Sequence, residues 1–213
     1  MRILIVTALQ AEADAIGAID DTQVIVSGIG RTNAAAATTE AIIKDDQFDY
    51  VLSAGLAGSL PGAGAGLEIG DIVVATVCVY VEEGLHTPDG FQDMTGLGFS
   101  LGGFEGNAVP VDPNMLVVLD ALFRTGPIAT VATCSGTDEA AREVVRRTGA
   151  IAEAMEGAAV VHAADRLGIP AGELRAISNT TGDRNNQRWD LPLGLSALGN
   201  AVRAAMSQPA LSD

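Results

Sequence analysis

Short runs of β-branched and apolar residues, each closed by a turn and most of them followed by a stretch with helical character, constrain this chain more than any other feature. Arg2–Ala8, Val24–Ser27, Tyr50–Ala54, Asp71–Val81, Pro127–Thr133, Ile151–Ala154 and Glu173–Ser178 read as strands. Arg2–Ala8 is continuously apolar rather than alternating, as a strand covered on both faces must be. Asp71–Val81 carries Ile72, Val73, Val74, Thr76, Val77 and Val79, side chains that suit a pleated surface. Between the strands lie helical stretches from about Thr32 to Lys44, from Asp112-Pro113, over Thr137–Arg147, Met155–Leu167 and Leu191–Met206. Asp112 and Pro113 supply an acidic cap and a first-turn proline. Thr137–Arg147 has its acids early and its arginines late, in line with the helix dipole. Strands alternating with helices predict an α/β fold: a three-layer sandwich with a central, mostly parallel mixed sheet flanked by helices. Glu82 to Val109, rich in glycine and without clear periodicity, reads as a long loop of the kind usually functional or disordered. Gln208–Asp213 is expected to fray.

The chain has 213 residues, within the ~250 that one core can serve, so 1–213 is expected to be a single domain. Of its residues 48% are apolar but only 4% aromatic, so the core must be built from Val, Ile, Leu and Ala. The net charge of −15, from 27 acidic and 12 basic residues, repels phosphate backbones and anionic membrane surfaces, which argues against nucleic-acid and membrane partners. Cys78 and Cys134, the only cysteines, sit in no CxxC pair and read as small core residues. With only His86 and His162 beside them, no metal-ligand cluster is expected. The N-terminal apolar run is too short for a signal peptide, and no apolar run reaches ~18 residues, so a cytoplasmic location is expected.

Polar residues at strand ends carry the chemistry. Gly28-x-Gly30-x-x-Asn33 follows a strand and precedes a helix, but the third glycine of a dinucleotide fingerprint is missing. It reads as a tight turn. Glu12 lies just past the first strand, where ligands collect in α/β sheets. Glu156, in Glu153-Ala154-Met155-Glu156-Gly157, sits at a strand-to-helix junction, where a carboxylate can accept hydrogen bonds from two vicinal hydroxyls. Met155 offers a soft apolar surface beside it. Arg175-Ala176-Ile177-Ser178-Asn179 ends the penultimate strand. Taken singly, each acid reads equally as a helix-start dipole partner and Asn179 as a turn former.

Together, Thr7-Ala8-Leu9-Gln10-Ala11-Glu12, the Met155-Glu156 fragment and Arg175–Asn179 resemble the nucleosidase branch of the purine nucleoside phosphorylase/hydrolase superfamily. Val81–Phe91, Leu97-Gly98-Phe99 and the run Ser178-Asn179, Gly182-Asp183-Arg184, Trp189 are similar to the futalosine hydrolase family, over essentially the whole chain. That resemblance implies N-glycosidic hydrolysis of a hypoxanthine nucleoside in the alternative menaquinone pathway, with no cofactor and no metal. It implies that Glu12 activates water and that Glu156, with Met155, holds the ribose. Asn179 would stabilise the leaving base, its NH₂ donating to both N7 and a 6-oxo group. Adenine-specific nucleosidases carry aspartate at that place and a serine where Leu56 stands, so water positioning would rest on Glu12 and Arg175. Arg184, Arg188 and His86 are candidates for the substrate's benzoate, and the phenylalanines of 91–104 for its ring. Relatives are commonly homo-oligomers, so self-association is expected. Methylthioadenosine nucleosidase and phosphorylase activities are the alternatives.

Overall fold

The computed structural model describes residues 1–62 and 66–212. Of the Gly/Ala-rich stretch 54–66, residues 63–65 lie outside that description, as does Asp213. In chain order the elements are β1 (Ile3–Thr7), α1 (Gln10–Ile16), β2 (Thr22–Val26), α2 (Arg31–Lys44), β3 (Tyr50–Ser59) and β4 (Ile72–Tyr80). There follow β5 (Gly84–Thr87), β6 (Gly90–Asp93), α3 (Met94–Leu97), β7 (Ala108–Pro110), α4 (Pro113–Asp120) and β8 (Arg124–Thr130). The chain ends with α5 (Asp138–Thr148), β9 (Ala152–Ala154), α6 (Gly157–Arg166), β10 (Ala171–Thr180), α7 (Leu191–Met206) and α8 (Pro209–Ser212).

The main sheet is mixed. β1 pairs in parallel with β2 and β3, β3 with β10, β4 with β8, and β8 with β9, while β10–β4, β3–β9 and β4–β7 are antiparallel. An open three-layer sandwich is therefore only part of the architecture. β3, β10, β4, β8 and β9 close on themselves as a ring, and β1 and β2 extend from β3 as a wing. The cause is the length of β3. The strand continues through Gly55-Leu56-Ala57-Gly58, where the sequence suggests a stop, and its far end reaches β9 at Gly58 and Ser59.

Apolar side chains of β1 alternate between two cores. Leu4 and Val6 pack with Val51, Ile128 and the α2/α6 side, whereas Ile3 and Ile5 pack with Leu52, Leu174, Leu198 and the α7 side. Removing a Leu52 or Leu174 side chain from water contributes about 1.5–3 kcal/mol. The α6 sequence Gly-Ala-Ala-Val-Val is buried nearly all round, and its small side chains let the helix lie close to the sheet in place of the missing aromatics.

The 82–109 segment is more ordered than its composition suggests. It holds the β5–β6 hairpin, turned at Pro88-Asp89, then α3 capped by Asp93 and closed by Gly98, which has the positive φ of a left-handed C-cap. The strands are too short and glycine-flanked to show a period. The C-terminus also departs from expectation, since α8 forms and buries Leu211.

Candidate active site

The ends of β1, β3, β9 and β10 and the loops after them enclose a cavity of about 410 Å³. Glu12, Met155, Glu156, Asn179 and Arg184 all line it, although they are spread over most of the sequence. A larger depression of about 880 Å³ lies beside the β5–β6 hairpin, lined by Phe91, Arg146 and Arg147. It contains none of those residues and is set apart from the chemistry.

Glu12 lies in the first turn of α1, 3% exposed. Its Oε2 accepts the backbone N–H groups of Ala8 and Leu9, each at 2.9 Å, and Oε1 accepts that of Leu56 at 2.8 Å. The free N–H groups of a helix start and the end of β3 thus hold one carboxylate rigidly. Leu56 uses its backbone for this, so the contact needs no particular side chain. Its side chain lines the cavity instead.

Glu156 is the N-cap of α6 and 6% exposed. Its Oε1 accepts the N–H of Gly30 at 3.0 Å and its Oε2 faces Arg175 Nη1 at 3.4 Å. Each oxygen keeps a lone pair for a further donor. The Gly28-x-Gly30 turn has φ of +86° and +94°, which favour glycine. It turns into α2 as expected, and it also delivers Gly30 N–H to Glu156 and Ile29 to the cavity wall.

Arg175 departs from its expected place at the substrate. It is 1% exposed and lies behind the cavity rather than on its lining. Nε donates to Glu173 at 2.8 Å and Nη2 to Ser53 Oγ at 3.1 Å, leaving Nη1 toward Glu156. Burial alone would lower its proton affinity, but the carboxylates of Glu173, Glu156 and Glu12 reverse that and hold it firmly charged. The guanidinium is the counter-ion of the acidic cluster. Gly55 makes room for it, since a Cβ there would stand 2.5 Å from Arg175 Nη1 and 2.8 Å from Glu12 Oε1.

Asn179 is aimed by a register slip. Arg175, Ala176 and Ile177 pair with Gly55, Leu56 and Ala57, but the next pair is Asn179 with Gly58, leaving Ser178 as an extra residue. A bulge of this kind re-aims the following side chain. Asn179 Nδ2 consequently lies over Gly58, 3.0 Å from where a Cβ would be. One Nδ2 hydrogen is donated to Thr180 O at 3.0 Å, and Oδ1 accepts from Ser178 Oγ at 2.9 Å. One N–H therefore remains, not the two that the sequence reading requires.

The mouth is apolar, with Leu9, Ile29, Trp189 and Leu191 both lining the cavity and exposed. Trp189 bridges to Asn179, and the Arg184 guanidinium lies 4.7 Å from the indole ring. Arg188 faces Glu68 at 3.3 Å, and His86 packs on Phe91 in the hairpin; neither lines the cavity. Phe91, Phe99 and Phe104 are absent from the lining too.

Sequence reasoning missed Glu153, Ser135, Gln187 and Cys134, which the fold adds to the wall. Glu153 follows the apolar pattern of a buried strand and bears no local mark. Cys78 is buried as expected, but Cys134 is exposed. Partial burial, then the carboxylates of Glu153 and Glu156, push its thiol above the ordinary range. Among the described residues lining the cavity, Arg184 is the one cation against three carboxylates, Glu12, Glu153 and Glu156.

A part-closed mixed sheet with carboxylates gathered at its strand ends defines a known class. The family model described as the phosphorylase superfamily matches residues 7–207, and the chain belongs to that superfamily. Within it, a futalosine hydrolase from Acidothermus cellulolyticus is 37% identical over 96% of this chain and 90% of the relative. One from Streptomyces coelicolor is 34% identical over 95% and 94%. The chain is a member of the futalosine hydrolase family. A 5′-methylthioadenosine/S-adenosylhomocysteine nucleosidase from Colwellia psychrerythraea is 28% identical over 87% of the chain. Among solved structures, futalosine hydrolase of Helicobacter pylori superposes with a TM-score of 0.77 at 19% identity, covering 96% of this chain and 97% of that one. A methylthioadenosine nucleosidase mutant from the same organism, with 5′-methylthioadenosine in its active site, gives 0.78 at 20%. At such identities these structures speak for the fold.

Proposed function

We propose that the chain hydrolyses the N-glycosidic bond of futalosine, releasing hypoxanthine and dehypoxanthine futalosine for menaquinone synthesis. The carrying observation is that Glu12, Glu156 and Asn179 meet at one cavity whose mouth is apolar. In this reading Glu12 takes a proton from water, Glu156 accepts the 2′ and 3′ hydroxyls beside Met155, and Asn179 donates to the departing purine. Cleavage of this kind passes through an oxocarbenium-like state. Two buried carboxylates held by neutral N–H groups and sharing one arginine supply negative charge where that cation develops. Arg184, stacked near Trp189 at the mouth, faces the position for a benzoate, with Leu9, Ile29 and Leu191 against its ring.

Phosphorolysis is disfavoured by the excess of carboxylates over the single cation in the lining, because a phosphate dianion would be repelled. The 5′-methylthioadenosine reading keeps the same catalytic acids but needs a base reader suited to an amino group. Cytoplasmic action and self-association complete the proposal; among the described residues no helix is long and apolar enough to cross a membrane.

Incubation with futalosine, inosine and methylthioadenosine in phosphate-free buffer, with released bases separated chromatographically, tests it. Hypoxanthine should come fastest from futalosine. Adenine released from methylthioadenosine, with no hypoxanthine from futalosine, would reverse the assignment.

A further inference from the structure

Asn179 has one uncommitted N–H, because the other hydrogen of its amide is held by Thr180 O. A single donor meets N7 or the 6-oxo group, and N7 is shared by adenine and hypoxanthine. Discrimination between the two bases therefore needs a second polar group on the purine edge.

The sheet register supplies one. Glu153 pairs with Gly58 from the β9 side, and Asn179 pairs with the same Gly58 from the β10 side. Residues paired across neighbouring strands share a face, so both side chains rise on the side where Gly58 has only a hydrogen. Two strand spacings separate their backbones by about 10 Å. Asn179 Nδ2 and Thr181 Cγ2 fill the space directly over Gly58, so a base read by both side chains lies further out, in the cavity that both line. Glu153 is 5% exposed and lines the cavity. Its Oε1 accepts the N–H of Ser135 at 2.8 Å and its Oε2 the Ser135 hydroxyl at 2.6 Å, and no hydrogen bond or ion pair to a cation is found among the described residues. Those bonds orient the carboxylate and leave a lone pair on each oxygen.

Resting on the futalosine reading above, we infer that Glu153 is the second base-reading residue and accepts the N1–H of a 6-oxopurine. Hypoxanthine presents a donor at N1, which meets the carboxylate. Adenine presents a lone pair there, which the carboxylate repels. Asn179 and Glu153 thereby read the N7 and N1 edges in opposite senses, and the pair defines a 6-oxopurine nucleoside where Asn179 alone does not. Burial raises the Glu153 carboxyl above its ordinary range, and the two Ser135 bonds act against that by favouring the ionised form, the one that accepts N1–H.

The test measures kcat/KM for futalosine and for its 6-amino analogue in wild type, Glu153→Gln and Ser135→Ala. The ratio of the two substrates cancels the folded fraction, so a poorly folding variant still reports. Glu153→Gln removes the charge and can turn an NH₂ toward adenine N1. The ratio should fall by about 10–100-fold, the span of one charge-assisted hydrogen bond. Ser135→Ala, which loosens the carboxylate without removing it, should lower the ratio by less. An unchanged ratio in Glu153→Gln, with wild type still preferring futalosine, overturns the role of Glu153 and leaves the proposed function standing. Wild type that releases no hypoxanthine at all overturns the proposed function itself.

Discussion

A carboxylate that accepts three backbone N–H groups does more than wait for a proton. Both oxygens of Glu12 are committed to Ala8, Leu9 and Leu56, so it ties the start of α1 to the end of β3 as well as facing the cavity. Glu12→Gln should lower turnover by about 10²–10⁴, the range for a positioned base. It should also cost about 1–3 kcal/mol of stability, since the new NH₂ confronts a backbone N–H at one oxygen position. Single-turnover kinetics and denaturant unfolding would check the two halves; unaltered turnover removes Glu12 from the mechanism. The acids at residues 12 and 156 were legible in the sequence because each stands at a strand end before a helix. Arg175 was legible as important but not as buried, because its depth depends on Gly55 and Ser53 from a strand far away in sequence.

At the scale of elements, β3 and β10 lie so close along their paired length that side-chain volume at Gly55 decides whether the acidic cluster fits. Gly55→Ala would press a methyl group on Arg175 Nη1 and Glu12 Oε1. Both groups are buried and hydrogen-bonded, so moving either aside strains those bonds. The cost should be about 1–3 kcal/mol, as for other overpacked cores, with a loss of activity out of proportion to it. A variant as stable and as active as wild type would mean that β3 shifts freely. On α6, His162 packs edge-on to Phe104 and Tyr80. Burial, and then the charge of Arg166, lower its pKa below 6.5. The unfolded chain then binds the proton more readily than the fold. The stabilising contribution is full above pH 6.5 and is lost as pH falls through the folded value. Thermal melts between pH 7.5 and 5.5 should show His162→Gln losing less Tm on acidification than wild type. Parallel curves would exclude His162 as a source of acid sensitivity.

For the molecule as a whole, a charge of −15 on 213 residues sets up self-repulsion that mobile ions screen. Raising sodium chloride from low millimolar to 0.15 M should raise Tm, by about 2–4 °C for each kcal/mol of repulsion relieved. A Tm that falls with salt would instead point to ion pairs such as Arg31 with Glu82 and Glu83 as the dominant surface term. The alternation of buried strands with helices was determined by the sequence alone, because continuous apolar runs closed by turns, the Asp112 cap and the charge order of 137–147 are local. So was the presence of an acid at each relevant strand end. Only the tertiary structure decided that the sheet closes, that β5 and β6 form a hairpin, and that Arg175 backs the site rather than lining it. It also decided that the slip at Ser178 turns Asn179 over Gly58, opposite Glu153. Those outcomes depend on which strand lies beside which and in what register, and register is a relation between distant segments that no local pattern contains.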